Sequence, residues 1–387
     1  MPQQVLIIGA GPTGLTLAIE LARRGVWVRI VDKSAPRPKY ESRAIGTHAR
    51  TMEIFARIGV LDEMLAKGLR WRGFNFHCNG QQIGRLSFEQ IDSKFNFALV
   101  LPQAETERIL REKLESFGVA VETETELIAI EQNENLVLAD LQNKNGEIEQ
   151  ERADFLIGCD GAKSATRKLL NLEFSGKRLQ GSYLMDCVAE WEQEPLFEGN
   201  TFLADGWRLI VGQLPENRWR VVANMPPDDA RMKNELPTIE LMQAFVDQFN
   251  LKMRLKDATW SSAFWLSVRR VEKTRVGRVF LAGDAAHNVC PNAGQGMNAG
   301  IHDAVNLAQK LTLFLQKGED LLDEYQTERL PVIKKLLAAS ERMENLMILQ
   351  NGWAAGLRNF ALPFATKSKR LQRKIGNQIA GLNIKIE

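Results

Sequence analysis

The chain opens on a short continuous apolar run, Val5-Leu6-Ile7-Ile8, that ends at Gly9. Apolar residues in a row, without alternation, predict a strand buried on both faces inside a parallel sheet. Leu15, Ala18, Ile19 and Ala22 then recur at helical spacing, and Gly25 closes that helix. Val26 to Asp32 returns to a strand pattern, so the first stretch predicts one βαβ unit with a right-handed crossover. Further on, Gln103 to Ser116 reads as a helix with Leu110 and Leu114 on one face. Three strand candidates follow, Leu127–Gln132, Leu136–Leu141 and Ala153–Cys159, with Asn145-Gly146 the strongest turn signal among them. They predict an antiparallel meander laid over the parallel sheet.

From about Tyr183 to Val268 the pattern changes to strand-like alternation. It contains a hairpin, Arg208–Leu214 and Arg218–Met225 around Pro215-Glu216-Asn217, and a helix near Thr238–Phe249. This predicts a separate β-rich layer. Val279-Phe280-Leu281-Ala282-Gly283 repeats the buried strand that ends in glycine, and from Met297 onward the chain reads as mostly helical. No internal repeat or low-complexity segment interrupts it. The fold class is α/β: a Rossmann-like domain with a parallel sheet and β-meander, a β-rich second domain and C-terminal helices.

Composition adds mainly exclusions. The 387 residues suggest two domains, or three with the C-terminal helices counted apart, and 44% hydrophobic residues provide a large core. A net charge of +2, with no basic stretch interleaved with aromatics, gives no reason to expect nucleic acid. Cys78, Cys159, Cys187 and Cys290 lie far apart and form no CxxC pair, a usage that fits reduced thiols in the cytoplasm. His48, His77, His287 and His302 have no metal-ligand spacing, so no metal is expected. The first residues carry no basic n-region, and no apolar run approaches the roughly 20 residues of a membrane span. The expectation is a soluble cytoplasmic protein, monomeric or homodimeric.

Candidate chemistry gathers in three glycine-and-aspartate clusters. The first, Gly9-Ala10-Gly11-Pro12-Thr13-Gly14, is a GxGxxG where strand meets helix. Gly9 permits the tight turn, Gly11 lets backbone approach a pyrophosphate, and Gly14 lets helix and strand pack closely. The helix N-terminus offers free N–H donors to phosphates, and Asp32 ends the second strand where an acid can bond a ribose hydroxyl. The second cluster is Gly158-Cys159-Asp160-Gly161 with Ser164 and Arg167. The third is Gly283-Asp284-Ala285-Ala286-His287, continuing through Pro291, Gly294-Gln295-Gly296-Met297-Asn298 and Asp303. Taken singly, the second and third read equally well as strand-to-helix turns with a capping aspartate.

In this order and spacing, the clusters resemble those of the flavoprotein aromatic hydroxylases with the para-hydroxybenzoate hydroxylase fold. The resemblance extends to Ser42-Arg43-Ala44, Met52-Glu53-Ile54, Leu101-Pro102-Gln103-Ala104-Glu105 and Tyr325-Gln326-Thr327-Glu328-Arg329. It implies that Gly9, Gly11, Pro12, Thr13, Gly14, Asp32 and Lys33 serve the ADP half of FAD, although family members more often carry Glu where Asp32 stands. Arg43 and Gln103 match positions that contact the flavin or its linking chain. Asp160 and Gly161 match a motif serving both FAD and the nicotinamide nucleotide, and Asp284 matches the residue that binds the ribityl chain. Pro291, Gly294, Gly296, Met297 and Asn298 match the loop and helix start beside the flavin ring. Arg43, touching the isoalloxazine, and Pro291, beside it, take the catalytic assignments.

The implied domains are an FAD-binding domain over 1–73, 99–180 and 269–318, a substrate domain over 74–98 and 181–268, and a helical segment over 319–387. The implied cycle uses NAD(P)H to reduce FAD, O2 to form a C4a-hydroperoxide, and oxygen transfer to a phenol-like aromatic substrate. No second GxGxxG sits on a βαβ unit, so no dedicated nicotinamide domain is expected; by its length, the chain is also expected to lack the thioredoxin-like C-terminal domain that some longer hydroxylases carry. Tyr183, Phe202, Trp207, Phe264 and Trp265 are pocket-wall candidates, each more often core. Cys290 reads as a small buried filler and His287 as a hydrogen-bonded structural residue. The basic Lys367–Lys374 stretch could rest on an anionic membrane, but reads first as the solvated face of a helix. Other flavin oxidoreductases remain open alternatives, including antibiotic or ketone oxygenases and isoprenoid reductases. So does a non-catalytic flavin-binding protein; a flavin-free NAD-dependent dehydrogenase would use the first cluster alone, and the second and third clusters argue against it.

Overall fold

The computed structural model describes residues 4–192, 197–204, 206–225, 235–291, 294–349 and 352–384. β1 (Gln4–Ile8), α1 (Pro12–Ala22) and β2 (Trp27–Asp32) form the expected βαβ unit, and α2 (Gln103–Glu115) packs beside α1. β3 (Phe155–Gly158) then pairs in parallel with β1 on the side away from β2. The six-stranded sheet is completed by Val121–Thr123 beyond β2, and by Val279–Leu281 and Arg275–Val276 beyond β3.

The unalternated run in β1 now has its reason. Val5 and Ile7 face a core shared with Leu15, Leu17 and Ile19 of α1, whereas Leu6 and Ile8 face Leu127, Val137, Ala139 and Leu141. The second set belongs to an antiparallel meander of Thr125–Gln132, Val137–Asn143 and Ile148–Ala153 that covers the sheet's other face. Its last strand corrects the sequence expectation, which gave the meander Ala153–Cys159. That run is β3, buried at all four positions and so suited to a sheet covered on both sides. The true meander strand, Ile-Glu-Gln-Glu-Arg-Ala, is polar and largely exposed.

The β-rich layer is an eight-stranded sheet. Its centre holds β4 (Ser175–Trp191), β5 (Trp207–Leu214), β6 (Arg218–Met225) and β7 (Met253–Arg270), in the spatial order β7, β4, β6, β5. Gly199–Ala204, Gly73–Cys78 and Gln81–Ser87 extend it beyond β5. The β5–β6 hairpin turns through Glu216 and Asn217, both at positive φ. One face carries Tyr183, Met185, Leu209, Val211, Trp219 and Val221, sealed by the helix Ile239–Gln248 through Met242, Phe245 and Val246. Tyr183, Phe202 and Trp207 belong to this rear core.

The chain returns to the parallel sheet as β8 (Val279–Leu281) and ends in α3 (Gln295–Lys317), α4 (Leu322–Met347), α5 (Gly352–Lys367) and α6 (Lys369–Ile379). α3 lies along α1, with Ile301, Ala304, Val305 and Ala308 in their shared core. His302 on the same helix is fully enclosed, its Nε2 3.1 Å from Thr51 Oγ1. Burial, reinforced by the Arg329 charge, pushes its imidazole down to about 3.

The unfolded chain therefore takes up a proton near pH 6.5 that the folded chain refuses until about pH 3, and stability falls as pH drops through that window. Thermal melting between pH 7 and pH 4 should show this fall, with a shallower slope in His302→Asn. Equal slopes in the two proteins would remove His302 from the account.

Candidate functional site

Three strand ends meet at one edge of the parallel sheet, and missing side chains allow it. A Cβ on Gly9, at φ +102°, would sit 2.5 Å from the Cys159 carbonyl oxygen, and one on Gly14 would sit 1.9 Å from Gly9 O. Either distance is far inside van der Waals contact, so only glycine lets α1 and the β3 loop close on the first turn. Gly11 differs: the nearest atom to its Cβ position is Glu107 Oε1, at 3.9 Å. It is the N-cap of α1 and has no side-chain cap, which leaves the helix start facing open space. The third cluster closes on the same helix. Cβ atoms on Gly283 and Gly300 would lie 2.6 and 2.3 Å from Thr13 Oγ1. Buried Arg167 completes the junction, donating to Ala285 O at 2.9 Å and Ala162 O at 2.8 Å.

The carboxylates at this junction have different duties. Asp32 accepts the Ala10 N–H at 2.7 Å and the Ser34 N–H at 2.8 Å, which fixes it over the glycine turn. Lys33 beside it is exposed and lies 3.8 Å from Glu126. Asp160 is occupied by its own helix start, accepting from Ser164 Oγ at 2.5 Å and from Thr166 N and Oγ1 at 3.0 and 3.1 Å. The N-cap itself is Ser164, whose Oγ accepts the Arg167 N–H at 2.9 Å, with Asp160 bracing it from behind. Gly161 follows it at φ +76° with open space where a Cβ would be.

Asp284, in the single 3₁₀ turn after β8, has its side chain open to the cleft although it lies deep in the protein. That depth raises its carboxyl above the usual range, while His287 and Arg43 pull it back. Beneath it, Asp303 is enclosed between His287 Nε2 at 2.6 Å and Arg329 Nε at 2.7 Å, and it accepts the Gly283 N–H at 3.1 Å. Burial alone would raise Asp303; the flanking Arg329 and His287 outweigh it and hold the group well below the carboxylate range. The 3₁₀ turn therefore stands on a buried ion-paired base.

α3 begins at Gly294, whose left-handed φ of 64° opens a helix start with no side-chain cap. Gly296 has nothing within 4 Å of its Cβ position, and Pro291 is exposed nearby. Asn298 is spent on bracing: its Oδ1 accepts the His48 N–H at 2.9 Å, and its Nδ2 donates to Gly46 O and Gly294 O at 2.9 and 2.7 Å. Met297, one residue earlier, is half-buried. Cys290 is buried with Leu266, Val289 and Ile333, and its Sγ donates to the Glu344 carboxylate at 3.7 Å, so it is more than an apolar filler.

Arg43 is exposed, its guanidinium 5.7 Å from the Phe264 ring. Its loop is held from two sides. The Gln103 N–H donates to Ser42 Oγ at 2.5 Å and to Ala44 O at 3.0 Å. From the β-rich sheet, Arg220 binds Asp186 through two 2.8 Å bonds and donates to Arg43 O at 2.6 Å and to Ser42 O. Arg220 and Asp186 were missed by the sequence reading. Two charged residues at alternate positions of buried strands were the available signal. Glu107 and Arg111 were missed too, although with Gln103 they recur every four residues along one face of α2. Glu107 accepts from Gln103 Nε2 at 2.8 Å and Arg37 Nε at 3.2 Å, and Arg111 reaches Ala10 O at 3.4 Å. Burial pushes the Glu107 carboxyl up, against the pull of Arg37, Gln103 and Arg111.

The sheet face turned toward Arg43 and Cys290 is ordered in rows. One row places Ser182, Asn224 and Arg208 side by side, with Arg208 paired to buried Glu344 of α4 at 2.8 Å. Another holds Asp186, Arg220 and Gly212. Between them run Leu184, Val222 and Ile210, with Ser262 beyond; Val222 and Ile210 are only half-buried at the centre of the sheet. Phe264 lies on this face and Trp265 on the opposite one, where Arg178 covers its ring at 4.6 Å.

Known proteins share this architecture. The family described as FAD binding domain matches residues 3–340. 6-Methylpretetramide 4-monooxygenase of Streptomyces rimosus is 34% identical over 389 residues, covering 98% of this chain and 69% of that protein. Pentachlorophenol 4-monooxygenase of Sphingobium chlorophenolicum is 34% identical over 352 residues, covering 89% of this chain and 65% of that protein. The chain thus spans about two thirds of the length of these relatives. The crystal structure of p-nitrophenol 4-monooxygenase from Pseudomonas putida DLL-E4 superposes with a TM-score of 0.86, covering 99% of both chains at 22% identity, a likeness of fold.

If Asp284 holds a sugar-like hydroxyl of the flavin, Asp284→Ala should weaken FAD binding roughly ten- to hundredfold, the worth of a hydrogen bond to a charged group. Flavin absorbance per protein after dialysis measures this, with far-ultraviolet circular dichroism to establish folding. A folded variant at full occupancy would remove Asp284 from the site.

Proposed function

This chain belongs to the FAD-dependent aromatic hydroxylases, the class A flavoprotein monooxygenases, and from that membership we propose that it uses NAD(P)H and O2 to hydroxylate a phenolic or polycyclic aromatic small molecule. The observation that carries the reading is the convergence of the three glycine loops. Two helix starts without side-chain caps, and one deep but open carboxylate, share one cleft. Such a cleft suits an elongated ligand with a central diphosphate, polyol hydroxyls and an anionic ring edge.

In this reading Gly11, Pro12, Thr13 and Gly14 present the start of α1 to the diphosphate, with Arg111 and Arg37 adding charge and Asp32 meeting the adenosine ribose. Asp284 meets the ribityl hydroxyls. The start of α3, from Gly294 through Met297, places its partial positive charge where the ring system gathers negative charge. Bound there, FAD supplies hydride acceptance from the nicotinamide and delivery of activated oxygen to the substrate. Arg43 and Pro291 flank the ring, and Asn298 holds the helix start in place. Asp160 and Gly161 border the side open to the nicotinamide nucleotide.

The substrate lies between Arg43 and the β4–β6–β5 face. The Leu184, Val222 and Ile210 row offers an apolar bed for a flat ring and keeps water from the reacting carbon. Relatives named for 6-methylpretetramide and pentachlorophenol agree with an aromatic substrate. Four separated free thiols and a demand for NAD(P)H accord with the cytoplasm.

Purified protein should be yellow, and a screen of phenols and polycyclic aromatics should find compounds that accelerate NAD(P)H oxidation and gain one oxygen by mass spectrometry. Fast reduction that no aromatic stimulates, without oxygenated product, would defeat the hydroxylase reading. Placement of the substrate has its own test. Val222→Trp should lower kcat/KM for a polycyclic substrate tenfold or more, with a smaller effect on a single-ring phenol. Equal losses for both would move the substrate elsewhere.

A further inference from the structure

Among the described residues, exposed large apolar side chains concentrate on α5. Trp353, Leu357, Phe360 and Phe364 are exposed by 78, 58, 68 and 63%, and their spacing puts them in one line along the helix. The Phe360 and Phe364 rings are 5.2 Å apart, so the exposure is continuous. Together these side chains present on the order of 500 Å² of apolar surface, at the upper end for a soluble monomer. The ridge is not a core face left undocked. The opposite side of α5 is seated on the protein, with Leu362 and Thr366 against Gly84, and buried Arg358 donating to Leu346 O and Met347 O at 3.3 and 2.9 Å.

Charge points to what the ridge meets. From Asn345 to Ile386 the sequence holds seven basic residues and no Asp or Glu, although the whole chain carries only +2; the remainder is therefore net acidic. Lys367, Lys369, Arg370 and Lys374 follow directly on the ridge, at the end of α5 and along α6. All four are exposed, and among the described residues none forms an ion pair. Arg373 pairs with Asp92 at 2.6 Å and ties α6 to the body. A line of Trp, Leu and Phe beside a basic cluster is the composition of a helix that lies in a bilayer interface. A second copy of the chain is the poorer occupant, because two such basic clusters would repel each other across the contact.

We propose that α5 and α6 dock the enzyme on the surface of an anionic lipid bilayer. The ridge enters the headgroup–acyl boundary, and Lys367, Lys369, Arg370 and Lys374 contact lipid phosphates. No helix among the described residues is long and apolar enough to cross a membrane, so the contact is peripheral.

The test is flotation of the flavin-loaded full chain with phosphatidylcholine vesicles, with and without phosphatidylglycerol. Binding should require phosphatidylglycerol and fade as salt is raised. Phe360→Ser with Phe364→Ser, and separately Lys369→Glu with Arg370→Glu and Lys374→Glu, should each weaken it on the order of a hundredfold. Flavin content and substrate-stimulated NAD(P)H oxidation should stay unchanged in solution. Absence of binding to phosphatidylglycerol vesicles at low salt overturns the proposal, as does equal binding by either variant. A concentration-dependent dimer that the Phe360→Ser, Phe364→Ser variant dissolves, without vesicle binding by the parent protein, assigns the ridge to a second copy instead.

Discussion

The contact of bare backbone at Gly9 and Gly14 with the β3 loop and α1 sets the terms for the rest of the molecule. A methyl group at either position would overlap main-chain oxygen, and main chain in the centre of a parallel sheet has nowhere to move. Given that contact, the start of α1, the Asp160 turn and the 3₁₀ turn at Asp284 can share one edge. Thr13 then lies between Gly283 and Gly300, and Arg167 joins the second loop to the third. Steric emptiness builds this cleft; charge is added afterward, as buried pairs that hold the emptiness in shape.

Those pairs are distributed with a purpose that the local contacts make clear. Asp303, between Arg329 and His287, supports the turn under Asp284. Asp186 and Arg220 reach from the β-rich sheet to the carbonyls of Ser42 and Arg43. Arg208 and Glu344 join the same sheet to α4. Removing one partner of such a buried pair leaves a charge without compensation, which is far more damaging than losing a surface pair. The cleft is thereby fixed on three sides by buried charge pairs.

Much of this was legible in the chain, and for physical reasons. Glycines at fixed offsets after apolar runs report a steric requirement, and steric requirements are local. The hairpin at Pro215-Glu216-Asn217 and the helix capped by Thr238 were readable in the same way. The meander was misread at its last strand because two adjacent strands, Ile148–Ala153 and Phe155–Gly158, pass from an exposed edge to the buried sheet across one residue. Periodicity cannot say which sheet a run joins. Arg220, Asp186 and Glu344 escaped notice because a buried charge is defined by a partner far away in sequence. The apolar face of α5 escaped because a helix with one apolar side looks the same whether that side faces core or solvent.

The row pattern on the β4–β6–β5 face has a further meaning. Ser182 and Asp186, four residues apart on one strand, put the two polar rows about 13 Å from each other at the rise of an extended chain. The apolar strip between them is a gauge. A fused ring system fits along the strip with its edges reaching the polar borders, whereas a molecule broader than the strip would strip water from paired charges without replacing it. Breadth along the strands is then restricted, and length along the strip, from strand to strand, is not. The fold thus discriminates by the narrow dimension of a planar guest and stays tolerant of the long one.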